Sequence, residues 1–112
     1  MPRYQLIVLT NAVKGRDGEF NDWYDNRHLA DVLSVPGFTG AQRFRLEPAS
    51  GSTDWSYLAI YDMETDDPAK CMADLQAKGA AGQMVMSDAA DLSNATVFYA
   101  SALGPRVDAP KR

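Results

Sequence analysis

The chain has 112 residues, 46% of them apolar, with one histidine, one cysteine and a formal net charge of −4. That is one domain with material for a core, and the acidic balance runs against nucleic-acid binding. The lone Cys71 excludes an internal disulfide, one cysteine with one histidine excludes a Cys/His zinc cluster, and no apolar run approaches the ~20 residues of a membrane span.

Arg3 to Thr10 is a strand with Tyr4, Leu6 and Val8 on one face and Ile7 and Leu9 on the other. Apolar residues on both faces place it in the middle of a sheet. The opening MPRYQLIVLT is too short in its apolar run for a signal peptide, so a soluble cytoplasmic protein is expected, with no membrane partner. Asn11 to Gly18 is a connection. A helix follows from Asp17 or Gly18 to Leu33, with acids in its first turn and Pro36-Gly37 beyond its end. Phe38 to Leu46 alternates as a strand, with Phe38, Gly40, Gln42, Phe44 and Leu46 against Thr39, Ala41, Arg43 and Arg45. A polar turn over Glu47 to Asp54 joins it to a strand from Trp55 to Met63, with Trp55, Tyr57, Ala59 and Tyr61 on one side.

Thr65-Asp66-Asp67-Pro68 is a helix-start signal, and the helix runs to about Lys78 with Gly79 to end it. Ala80 to Leu92 reads as a loop or a short helix through Met84 and Met86. Ser93 to Leu103 is the last strand, and residues 105–112 are expected to be a mobile tail after a single domain over 1–104. The order strand, helix, strand, strand, helix, strand predicts an α+β, ferredoxin-like βαββαβ fold with a four-stranded antiparallel sheet. Helices cover one face. The other face is also apolar, so a second sheet is expected against it, supplied by a homodimer.

Phe20, Tyr24 and His28 are spaced i, i+4, i+8 and share a helix face, with Trp23 and Arg27 beside them. Imidazole exchanges protons near neutral pH, which makes His28 the candidate general base or acid; a capped boundary histidine is the plain alternative. Asp25 and Asp31 stand three residues either side of it, and either could orient the ring. Tyr24 is the candidate partner for a developing oxyanion. Arg43, on the opposite strand face from Phe44, suits a carboxylate or enolate. Phe20, Trp23, Tyr57 and Tyr61 are candidate substrate contacts, with core packing as the alternative. Asn11 suits a carbonyl, or a turn held by its side chain. The acids at the helix ends fit no EF-hand spacing, and no phosphate loop or nucleophile elbow is present, so no metal and no cofactor are expected. Cys71 reads as packing, and Met72, Met84 and Met86 as a pliable pocket wall or core.

The run TNAVKGRDGEFNDWYDNRHLADVLSVPGFTGAQRF resembles the signature of the dimeric α/β-barrel superfamily, closest to its EthD-like branch. The matching positions are Asn11, Gly15, Phe20, Trp23, Tyr24, His28, Pro36, Gly37, Phe38, Ala41, Arg43 and Phe44, and the later YLAIYDMETDD is similar to the third strand and helix entry. The resemblance implies a homodimer whose sheets close into a barrel, with a pocket in each protomer between sheet and helices and His28 at that pocket. Superfamily members include cofactor-free monooxygenases, polyketide cyclases, muconolactone isomerases, dehydratases and haem-handling proteins, so the fold does not choose the reaction. The reading carried forward is a cofactor-independent isomerase, cyclase, dehydratase or related lyase. It would use His28 as acid–base catalyst on a small hydrophobic cyclic or aromatic metabolite. A cofactor-free monooxygenase of an electron-rich phenol, a non-catalytic binder of hydrophobic small molecules, and a haem binder using His28 are the rivals.

Overall fold

A computed structural model describes residues 1–111. The elements are β1 (Arg3–Ala12), α1 (Asp17–Trp23), a π-helical turn (Tyr24–His28), α2 (Leu29–Leu33), β2 (Phe38–Arg45), a short 3₁₀ turn (Pro48–Ser50), β3 (Tyr57–Glu64), α3 (Pro68–Ala80) and β4 (Ala90–Ser101). The sheet order is β2-β3-β1-β4 and every pairing is antiparallel. This is the ferredoxin-like α+β arrangement expected from the order of elements.

The helices lie on one face of the sheet. Leu6 of β1 and Tyr57, Ala59, Tyr61 and Met63 of β3 point to that face and are buried. Phe20, Tyr24 and Val32 meet them from the first helical run and Cys71 from α3. Burial of a large apolar side chain stabilises by about 1.5–3 kcal/mol, and Phe20, Leu6, Tyr61 and Met63 are the largest side chains wholly removed from water. The opposite face carries Ile7 and Leu9 of β1, paired across to Ile60 and Leu58 of β3 and to Phe98 and Thr96 of β4. Phe44 of β2 joins it opposite Leu58. No helix covers this face, and Phe98 and Phe44 remain 46% and 39% exposed.

Local chemistry sets the boundaries. Asp67 caps α3 by accepting from the Lys70 N–H at 3.0 Å, and Pro68 opens the helix. Gly37 follows α2 with φ +100°, and a Cβ there would collide with Cys71 Sγ, so this turn requires glycine on two counts.

Several expectations need correction. The helix over 17–33 is not uniform: the Leu29 N–H reaches back five residues to the Tyr24 carbonyl, so Tyr24–His28 is a π turn. The alternation in β2 breaks at a bulge between Phe38 and Gly40, which puts Phe38 opposite Met63 on the helix side, with Ala41 and Arg43 rather than with Phe44. Trp55 precedes β3 instead of opening it. Helix α3 passes through Gly79, and the positive φ of +72° falls at Gly82. On α3, Cys71 is buried and Met72 and Leu75 half-buried, while Ala73 and Gln76 are exposed. Of the two readings offered for Ala80 to Leu92, the loop is the one found, over residues 81–89. Strand β4 starts at Ala90 and stops at Ser101, leaving Leu103 outside. Residues 105–111 hold no helix or strand, and Arg112, the last residue of the expected tail, lies outside the described residues. No helix among the described residues is long and apolar enough to cross a membrane.

Candidate active site

Between the first helical run and the β1/β4 half of the sheet is a cavity of about 190 Å³, lined by Phe20, Trp23, Tyr24, His28 and Tyr61 together with Thr10 and apolar side chains from β1, β4, α3 and the loop before β4. Two irregularities shape it. The first is the π turn. Residues five apart point in different directions on an α-helix, whereas a π turn brings them onto one side. Trp23 and His28, five apart, therefore stack with ring centroids 4.5 Å apart and planes 28° from parallel. Tyr24 meets the imidazole edge-on at 4.9 Å, and Phe20 meets Tyr24 at 5.6 Å. The second irregularity is in β4. Leu9 pairs with Thr96 and Asn11 with Asp91, so residues 92–95 stand opposite Thr10 alone. This excursion carries Leu92 and Ala95 into the cavity wall. It is held by Trp55, whose indole N–H donates to the Asn94 carbonyl at 2.5 Å, and by Asp91, which accepts from the Ser93 hydroxyl and N–H.

Among the described residues no carboxylate hydrogen-bonds the imidazole. Asp25 receives Arg43 Nη1 at 2.8 Å. Asp31 receives Arg27 Nε and the Val85 N–H, both at 3.2 Å. Neither of the two acids flanking His28 in sequence orients the ring. His28 Nδ1 is buried with no hydrogen-bond partner, which leaves Nε2 as the nitrogen that can meet a molecule in the cavity. Burial pushes the His28 pKa below its ordinary value of 6.5. Nearby Asp31 raises it and Arg43 lowers it further, and burial prevails. His28 is therefore a neutral imidazole at pH 7. At Asp31, burial works to raise the carboxyl, but the Val85 N–H and Arg27 outweigh it and hold it below the usual range.

Below the imidazole, the Tyr61 and Tyr24 hydroxyls hydrogen-bond to each other at 2.8 Å. Burial pushes both phenols above their usual pKa. At Tyr24 the Tyr61 hydrogen bond and Arg43 pull the other way without reversing the shift; at Tyr61 the neighbouring Tyr24 adds to it. Both stay protonated, and with one of their two protons in the shared bond, the other is free to be donated.

Three sequence candidates do not line the cavity. Arg43 does face the helices, but its guanidinium is held there: Nη1 donates to Asp25, Nη2 to Asn21 Oδ1 at 2.7 Å, and its Cζ lies 4.3 Å from the Tyr24 ring centroid. Tyr57 donates to Asp17 at 2.6 Å and accepts from Asn21 Nδ2 at 3.3 Å. Asn11 uses both ends of its amide on the turn before β3, donating to the Asp54 carbonyl at 2.8 Å and accepting from the Ser56 N–H at 2.9 Å. Phe20, Trp23, Tyr24, His28 and Tyr61, all candidates in the sequence, meet at the cavity, and Met86, in the loop before β4, lines it as a pocket-wall methionine; the sequence gave no sign of Thr10. In that loop Val85 is gripped from both sides: its carbonyl accepts the Trp23 indole N–H at 2.8 Å and its N–H donates to Asp31. Met86, next along, is the methionine that reaches the cavity.

A wider concavity, about 640 Å³, lies at the Arg3 end of β1 between Arg3, Asp62, Glu64 and Arg106. Its charges are mixed and already paired, Arg3 with Glu64 at 3.4 Å and Gln5 with Asp62 at 3.2 Å, and no aromatic cluster or buried titratable group converges on it. Among the described residues no group of three or more His, Cys, Asp or Glu is placed to hold a metal ion.

Comparisons with known proteins bear on the fold. No protein-family model matches the chain. Core atranone cluster protein 1 of Stachybotrys chlorohalonatus is 35% identical over 81 residues, 68% of this chain; the chain spans about a third, 33%, of that protein's length. A putative antibiotic biosynthesis monooxygenase from Bordetella bronchiseptica superposes with a TM-score of 0.68 at 17% identity over 92% of this chain and 99% of that one. The haem degrader MhuD of Mycobacterium tuberculosis, with two haems bound in its active site, gives 0.65 at 17% identity over 93% and 99%. An EthD family protein from Bacillus halodurans gives 0.53 at 16% over 90% and 99%. At these identities the likeness establishes the fold alone: a ferredoxin-like fold, which the EthD family protein shares.

Proposed function

We propose that this chain is a small enzyme in which His28 moves a proton on a hydrophobic cyclic or aromatic substrate, without a bound cofactor. The observation that carries the reading is the unpartnered imidazole in the wall of an otherwise apolar, aromatic cavity. A buried polar group left without a partner costs free energy, and functional sites are where such costs persist. His28 enters the reaction neutral, as a base at Nε2. Protonation there makes an imidazolium whose Nδ1–H has no hydrogen-bond acceptor, and burial outweighs the pull of nearby Asp31, so His28 is a weak base. A weak base suits a substrate whose proton is already acidic, next to a carbonyl or on a phenol. As that proton leaves, charge develops on the substrate oxygen, and the free phenolic proton of the Tyr24–Tyr61 pair is the donor available to meet it. Isomerisation, cyclisation and loss of water all begin with this step.

A homodimer is part of the proposal. The uncovered sheet face with Phe44, Phe98, Ile7, Leu9 and Ile60 is apolar, and packing against the same face of a second copy would remove it from water.

A second reading, oxygenation of an electron-rich phenol without flavin or metal, is supported by the Trp23 indole stacked on His28 at the cavity and by the fold shared with a putative monooxygenase. One assay separates the two. Purified protein is incubated with a panel of enolisable ketones and phenols, and product formation and dissolved oxygen are followed together. Turnover with no oxygen uptake, reduced about 10²- to 10⁴-fold in His28→Gln, supports proton transfer. Stoichiometric oxygen uptake moves the assignment to oxygenation. Binding of panel members without product, in both proteins, leaves a ligand carrier.

A further inference from the structure

We propose that the His28 cavity takes one uncharged, single-ring molecule carrying a hydroxyl group, and that Met86 sets this size limit. The proposal deepens the acid–base reading by naming the substrate class of the same site, and it is tested by binding, which that reading does not require to lead to turnover.

Size comes first. Drug-sized ligands occupy about 300–1,000 Å³, and an apolar cavity of about 150 Å³ takes a benzene ring. At about 190 Å³ the cavity fits a substituted single ring and falls short of fused rings.

Charge comes second. Among the described residues no Arg, Lys, Asp or Glu lines the cavity. The nearest cation and anion are already committed: Arg43 to Asp25 and Asn21, Asp31 to Arg27 and the Val85 N–H. An ionised ligand would leave water and find no counter-charge, at a cost far above that of a neutral one. The polar side chains among the lining residues are His28, Tyr24, Tyr61, Thr10 and Trp23, the indole N–H of Trp23 being committed to the Val85 carbonyl. All are neutral hydrogen-bonding groups, and a ligand hydroxyl both gives to and accepts from such a set.

Met86 supplies the adjustable wall. It sits one residue beyond Val85, which Trp23 and Asp31 grip through its carbonyl and N–H. The backbone beside it is therefore fixed while its own unbranched side chain is half exposed and borders the cavity. Shortening it to alanine removes wall without removing core.

The experiment is calorimetric titration at pH 7 with phenol, toluene, benzoate and 2-naphthol, on the native protein, Met86→Ala and His28→Phe. The inference predicts that native protein binds phenol at least about 10-fold more tightly than benzoate or 2-naphthol. Met86→Ala closes the phenol–naphthol gap and leaves the phenol–benzoate gap. His28→Phe reduces the preference for phenol over toluene; should that variant not fold, the native phenol–toluene difference carries the same information. Benzoate or naphthol bound by native protein as tightly as phenol, or no binding of phenol up to its solubility, overturns the inference. Selective phenol binding with no reaction for any single-ring substrate overturns the acid–base reading alone. Turnover of a charged or fused-ring substrate that depends on His28 overturns this inference and leaves the acid–base reading standing.

Discussion

The helical run from Asp17 to Leu33 has two flanks that treat polar groups in opposite ways. Toward β2 and β3, Asp17, Tyr57, Asn21, Arg43 and Asp25 form one continuous chain of hydrogen bonds in which every charged group has a partner. Toward β1 and β4, the same run presents Trp23, Tyr24 and His28 to a cavity, and a buried nitrogen has no partner at all. Arginine, tyrosine and asparagine look like substrate-binding residues in a sequence, but a donor spent on an internal acceptor has nothing left for a ligand. The first flank is architecture because it is satisfied. The second is the candidate site because it is not.

The largest effect that would separate the flanks is on stability. Arg43→Met strips the donors from Asn21 and Asp25 and the cation from the Tyr24 ring. Hydrogen bonds to charged groups contribute about 1.5–3 kcal/mol; with Asp25 57% exposed the expected loss is about 2 kcal/mol, or a fall in Tm of about 10 °C for a domain this size. His28→Phe, on the other flank, is expected to change stability by less than about 1 kcal/mol, because it replaces an unsatisfied group with an apolar one. Urea denaturation of the two variants side by side checks this, and equal losses would erase the distinction. Tyr61→Phe removes the donor from the buried phenol pair and is expected to cost about 1 kcal/mol. Asn11→Ala, on a more exposed turn, should cost about 0.5–1 kcal/mol and leave phenol binding unchanged; a change in binding would return Asn11 to the site.

The smallest effect is in pH. His28 has a folded pKa below 6.5, the value of the free side chain. As pH falls through 6.5 the unfolded chain takes up a proton that the folded chain still refuses, so stability declines across that window and levels off below the folded pKa. Native protein should show this decline between pH 7 and the onset of carboxylate titration, and His28→Phe should not. An identical slope in both would assign the decline to other groups.

Much of the fold was legible because its signals are local. Asp67-Pro68 opens α3, Pro36-Gly37 closes α2, and alternation marks β1 and β3. The pairing of Phe20, Tyr24 and His28 follows from spacing alone. What was hidden depends on partners distant in sequence. A π turn adds one residue to a helix and leaves the apolar pattern nearly unchanged, so Trp23 stacking on His28 was invisible. The bulge at Thr39 reverses the face of Phe38, and the excursion over residues 92–95 exists only relative to Thr10 on another strand. Whether Arg43 serves a ligand or Asp25 depends on a contact 18 residues apart. The loop before β4 has no periodicity, and only its methionines, Met84 and Met86, hinted at a place in the wall.

Because His28 is the only histidine in the chain, its ring nitrogens can be followed without ambiguity by ¹⁵N NMR as pH is varied, with and without phenol. The account predicts a pKa below 6.5, a neutral ring at pH 7 and an Nε2 resonance that moves when phenol is added. A pKa at or above 6.5, with ring signals indifferent to phenol, would contradict it and make the histidine part of the architecture.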